Sequence, residues 1–191
     1  MSMFEHVSVF LSFVYAMGLT HLLESFTNLL NARERVKWSG LHLAWMLAVS
    51  LSLFVNWFGL FRLHDVTSWP LHVVLVLFAQ GLAQYFACSF VSVKVEEDVL
   101  VEMPALYKHQ RELFLAAGIL ISFFGIVRVW TGSAVAPTTP GAVLTIGTLI
   151  NAGGIVTQLV AMFARSRVVQ WAAVTAQLAI LVGFLVRYWS L

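Results

Sequence analysis

Charge is what this chain lacks most. Asp, Glu, Lys and Arg make up 10% of its 191 residues, 60% are hydrophobic, and mean hydropathy is +0.88. A soluble domain carries about a quarter charged residues, so this composition belongs in a bilayer and excludes a soluble enzyme. The net charge of +2 is dispersed, with no dense basic stripe for nucleic acid. The single cysteine, Cys88, makes neither an internal disulfide nor a thiolate metal cluster. Lys37, Lys94 and Lys108 all lie outside the long apolar runs, which removes an intramembrane Schiff base. No two of the histidines at 6, 21, 42, 64, 72 and 109 stand within four residues of each other, so the histidine boxes of membrane di-iron oxygenases are missing. The ferritin-type Glu-x-x-His pair is missing too. These absences argue against an enzyme and call for no metal and no cofactor.

What is present is a set of apolar runs of about twenty residues, the length that crosses a hydrocarbon core of about 30 Å. Six such runs free of acidic and basic residues, apart from a few exceptions, predict spans at 4–30, 41–61, 71–93, 113–130, 142–164 and 168–191, with a cytoplasmic loop at 94–112. The expectation is one all-α transmembrane helix bundle over residues 1–191. The first run has no basic leader or small-residue cleavage site and reads as a span rather than a cleaved signal. Arg33, Arg35, Lys37, Lys94, Lys108, Arg111, Arg165 and Arg167 fall in three alternate connections, against Arg62, Arg128 and Arg187 near the other side. The positive-inside rule then predicts both termini on the non-cytoplasmic side of a multi-pass inner-membrane protein. Trp57, Trp69, Trp130 and Trp189 near the outer interface and Trp38 and Trp171 near the inner one agree with that orientation. Ser68 reads as the cap of span three, and Pro137 and Pro140 mark an irregular outer loop.

An ionisable group inside hydrocarbon costs several kcal/mol, with estimates from about 2.5 upward, so each one invites an explanation. Glu24 and His21 share a face of span one with Asn28 and Asn31. Glu24 lies about 9 Å and His21 about 13 Å below the inner boundary at 1.5 Å per residue. This face is expected to turn away from lipid and to meet His42 of span two, either as a structural pair or as a protonation site. Neutral polar stripes run along the other spans: Asn56; Gln80 and Gln84 with Cys88; Gly147, Asn151, Gly154 and Gln158; Gln170 and Gln177. Lipid offers these amides no partner, so they are expected to converge inside the bundle or at a protomer interface. Small residues Gly118, Ser122 and Gly125 permit close helix approach. Arg128 and Arg187 read as side chains that snorkel to headgroups, while Glu5, His6, His64, Asp65 and His72 lie near the outer surface.

Haem b ligation through His21 with His42, or His6 with His72, is an alternative that leaflet placement alone leaves open. The run Gly18-Leu19-Thr20-His21-Leu22-Leu23, the basic loop with Arg33 and Arg35, Leu43-Ala44-Trp45 and the cluster Tyr107-x-His109-x-Arg111 together resemble a family of small uncharacterised bacterial six-span membrane proteins. The resemblance covers about the first 115 residues. It implies no activity and draws attention to His21, Trp45, His109 and Arg111.

Two functions follow as expectations. The first is a homo-oligomeric channel or proton-coupled transport component, with Glu24, His21, His42, Gln80, Gln84, Asn151, Gln158 and Gln177 as candidates for the polar pathway. The second is a non-catalytic subunit or sensor that docks a protein partner through the segment from Lys94, with Glu96, Glu97, Asp98 and Glu102, to Glu112, where Tyr107, His109 and Arg111 cluster.

Overall fold

The computed structural model describes residues 3–64, 66, 69–95, 99–135 and 141–189. Its main elements are six helices: α1 (Met3–Asn31), α2 (Gly40–Leu60), α3 (Leu71–Val91), α4 (Met103–Val135), α5 (Gly141–Phe163) and α6 (Arg167–Trp189). All six are long and apolar enough to cross a membrane. Five of them match the expected spans to within two residues at each end. Asp65, Ser68, Glu96, Glu97, Asp98, Pro137 and Pro140 lie outside the described residues, as do the side chains of Arg62 and Arg187.

The fourth helix departs from expectation. Residues 103–112, assigned above to a cytoplasmic loop, form the first turns of α4. Charge at Lys108, Arg111 and Glu112 obscured a helical stripe on which Met103, Tyr107 and Phe114 are buried at i, i+4 and i+11, while Lys108, His109 and Glu112 are exposed. Just before α4, β2 (Val101–Glu102) pairs in parallel with β1 (Val36–Lys37), Val36 opposite Val101. Lys37 and Glu102 close this bridge at 3.1 Å. The α1–α2 and α3–α4 connections therefore meet, and Arg165 of the α5–α6 turn lines a pocket with Trp38 of the α1–α2 connection and the first turns of α4. This end of the molecule is called the basic end below.

Five helices close into a ring: α2 packs on α3, α3 on α4, α4 on α5, α5 on α6, and α6 returns to α2. Helix α1 stays outside the ring, packed against α3 and α2. Its buried positions are Val7, Leu11, Tyr15, Gly18, Leu22, Ser25 and Leu29, alternating by four and three residues from Leu11 onward. That is the narrow seam of a helix touching its neighbours along one line rather than being surrounded. Leu77, Val91, Phe114, Leu115 and Val174 are among the most enclosed apolar side chains of the ring.

Candidate functional site

Two groups of amides face the ring interior, and they differ in how their hydrogen bonds are used. The first joins α2 to α3. Gln80 and Gln84 are one turn apart on α3, which puts both on one face toward Asn56 of α2. Gln80 Nε2 donates to Asn56 Oδ1 at 2.9 Å, and Asn56 Nδ2 donates to Gln84 Oε1 at 3.1 Å and to the Ser52 carbonyl at 2.9 Å. Ser52 Oγ also donates to Gln84 Oε1 at 3.2 Å, and Gln84 Nε2 reaches the Val49 carbonyl at 3.3 Å. Gln80 Nε2 extends toward the Ile121 carbonyl of α4 at 3.4 Å. All three amide side chains are buried. They bond mainly to one another and to backbone, as polar groups that hold helices together do, while Gln80 Oε1 is buried without a partner among the described residues.

The second group lies on α5 and α6. Helices α4 and α5 run along each other with small residues of one facing larger groups of the other. A Cβ placed on Gly118 would come within 2.7 Å of Gln158 Oε1, and one placed on Gly154 within 2.9 Å of Ser122 Oγ. Gly125 is likewise filled by the Asn151 amide, and Gly147 by Val129. The pairs 118 with 158, 122 with 154, 125 with 151 and 129 with 147 keep a single antiparallel register. Only glycine leaves room for these amides between the backbones.

Between this seam, α2 and α6 lies a cavity of about 80 Å³ whose polar lining includes Ser52, Asn56, Ser122, Asn151, Gln158 and Gln177. Gln177 Oε1 accepts from Thr157 Oγ1, and Asn151 Nδ2 donates to the Gly147 carbonyl of its own helix at 2.8 Å. Gln158 Oε1 is buried without a hydrogen-bond partner among the described residues. Trp45 and Phe114 line the cavity toward the basic end, where their rings lie 5.9 Å apart. Arg128 lines it toward the other end, its guanidinium within 3.1 to 3.2 Å of where a Cβ on Gly59 would stand. Glycine at position 59, next to the last residue of α2, lets the guanidinium lie against the end of that helix.

The remaining candidates are distributed differently from expectation. Gln84, Gln80, Asn151, Gln158 and Gln177 come to the ring interior, whereas Glu24 and His21 do not. Glu24 is exposed on the outer surface of α1, and its neighbour Ser25 is the buried residue, accepting from the Val93 backbone N–H at 2.7 Å. His21 is half-buried at the α1–α3 seam and shares a 3.2 Å hydrogen bond with Tyr85. His42 meets neither of them. It is completely buried, donates from Nε2 to the Val91 carbonyl at 2.8 Å and packs against Tyr107 and Phe114. The proposed haem pair of His21 with His42 is therefore divided between two separate sets of contacts. Among the described residues, no three His, Cys, Asp or Glu side chains group as metal ligands.

The docking cluster divides as well. Tyr107 is buried in the core rather than displayed, and Arg111 is half-buried with Nη1 3.3 Å from the Ala164 carbonyl. Only His109 is exposed. Sequence reasoning missed Ser52, Thr157 and the inward turn of Arg128. The signal for Arg128 was its place three residues beyond Gly125, on the small-residue stripe of α4. No protein-family model, no curated protein and no solved structure matches the chain.

Proposed function

We propose that this chain is a membrane transport component that passes small polar solutes through the interior of its own helix ring. The observation that carries this reading is the polar lining of the cavity, where Ser52, Asn56, Ser122, Asn151, Gln158 and Gln177 meet inside the ring. Leaving an amide unmet in apolar surroundings costs about 1–3 kcal/mol on protein scales. Lipid offers no remedy, while water or a polar solute does. A water needs about 10–15 Å³ of such space, so about 80 Å³ admits several, or one small solute.

A closed ring within one chain supports a pathway that does not depend on symmetry between copies. Proton coupling through Glu24 and His21 has no part in this reading, because both residues lie outside the ring. Orientation follows the positive-inside rule, with the basic end in the cytoplasm.

The test is solute entry into proteoliposomes, followed by light scattering after mixing with urea or glycerol. Wild-type protein is expected to speed entry over empty vesicles. The double variant Gln158→Leu, Gln177→Leu, which removes two amides from the cavity wall at similar side-chain size, is expected to return the rate to that of empty vesicles with helix content unchanged. Wild-type vesicles as tight as empty ones to both solutes would refute the proposal.

A further inference from the structure

At the basic end, well away from the polar cavity, the start of α2, the first turns of α4 and the α5–α6 turn enclose a pocket of about 590 Å³. Its lining brings together Lys108 and Arg111 of α4 with Arg165 of the α5–α6 turn and Arg167 at the start of α6, and no carboxylate lines it among the described residues. The assembly of these cations is built into the fold. Arg111 Nη1 and Gln170 Nε2 both hydrogen-bond the Ala164 carbonyl, at 3.3 and 2.8 Å, which draws the α5–α6 turn against α4. The buried Arg111 Nε–H is left without an acceptor among the described residues. Helix α2, capped by Ser39, and helix α6 both begin at this pocket, so two positive helix ends add to the four side-chain charges.

We infer that this pocket is a binding site for the phosphate group of an anionic phospholipid. Phosphate oxygens match clustered guanidinium donors, and basic pockets between membrane helices suit such headgroups. A lipid rather than a free phosphate is favoured by the rim. Trp38 and Trp171, 41% and 45% exposed, both line the pocket, and exposed Val168 and Val169 continue the surface of α6 beside it. Indole rings prefer the headgroup level, and the apolar wall below them receives acyl chains. The site stands independently of the transport reading.

Native mass spectrometry of the full chain, released from micelles with equal amounts of phosphatidylglycerol and phosphatidylcholine of matched chains, tests it. Wild type is expected to retain phosphatidylglycerol at least tenfold over phosphatidylcholine. With each cation near a membrane surface worth about fivefold in affinity, Arg165→Gln with Arg167→Gln is expected to lower that retention about 25-fold. Both residues are exposed, so the change spares the core. Arg33→Gln, a basic residue of the same end that does not line the pocket, is expected to change retention less than twofold. Millimolar inorganic phosphate is expected to leave the lipid bound. Equal retention of the two lipids by wild type, an equal loss in Arg33→Gln, or displacement by inorganic phosphate would each overturn the assignment.

Discussion

Replacing Gln84 by methionine separates a structural amide from a pathway amide. The side chain keeps its length and unbranched shape but loses four hydrogen bonds: those from Ser52 Oγ and Asn56 Nδ2, and those to the Val49 carbonyl and Cys88 Sγ. Two of the orphaned donors keep a second acceptor. Asn56 Nδ2 still reaches the Ser52 carbonyl at 2.9 Å, and Ser52 Oγ still reaches the Val49 carbonyl at 2.8 Å. The loss is therefore that of the bonds themselves, without a full desolvation penalty for their partners. At about 0.6 kcal/mol for an average side-chain hydrogen bond inside a membrane protein, four bonds, the one to sulfur being weak, give a destabilisation of about 2 kcal/mol. Titrating the folded protein in mixed micelles with a denaturing detergent, followed by circular dichroism, reads this value. A second cycle with Asn56→Leu should show coupling of about 0.6 kcal/mol between the two positions, because one direct bond joins them. Solute entry in proteoliposomes should fall no more than the folded fraction does. A stable Gln84→Met protein that no longer conducts solute would refute the division between spent and unspent amides.

Other substitutions test the periphery. Glu24→Gln is expected to leave both solute entry and stability within error of wild type, since the carboxylate lies on the outer surface of α1; abolished entry in the reconstituted variant would return this residue to the pathway. Lys37→Ala is expected to cost less than about 1 kcal/mol, because its 3.1 Å pair with Glu102 joins side chains that are 65% and 48% exposed and screened by water. A larger loss in the same detergent titration would mean that the ion pair, rather than the Val36 and Val101 pairing beneath it, holds the two connections together.

Span number and span ends were legible because hydrocarbon thickness and loop charge both act on local sequence. The fourth span was misjudged at its start because Lys108, Arg111 and Glu112 were read as marking a loop, although Met103, Tyr107 and Phe114 continue a buried helical face. The amide stripes were legible as needing partners, and the small residues of α4 as allowing close approach. Which stripe meets which was not, since register between two helices depends on where glycine of one faces an amide of the other. Gly118 and Gly125 are seven residues apart, as are Asn151 and Gln158, so the matched spacing was written in the chain while the pairing needed three dimensions. His42 shows the opposite limit: the sequence places a polar residue near the start of a span where it is expected to meet Glu24, and its Nε2–H donates to the backbone carbonyl of Val91 instead.

The misplacement of Glu24 has a physical origin in α1 itself. Two stripes compete on this helix: the polar one through His21, Glu24, Asn28 and Asn31, and the one through Gly18, Leu22, Ser25 and Leu29, which is buried. They differ by one residue, or about 100° around the axis. The polar stripe was assumed to face inward because hydrocarbon penalises charge. That penalty depends on depth, and α1 is long. Its 29 residues span about 43 Å against a core of about 30 Å, so each end overhangs by about 6 Å if the helix is centred. Glu24 stands seven residues before Asn31, about 10 Å from that end, and thus only about 4 Å inside the core. A glutamate side chain spans that distance, so the outward position of Glu24 is compatible with its carboxylate reaching the headgroup level. Packing then decides the rotation of the helix. Gly18 lies against Cys88 and Leu53, and Ser25 accepts the Val93 N–H, contacts that the polar stripe has no means to replace.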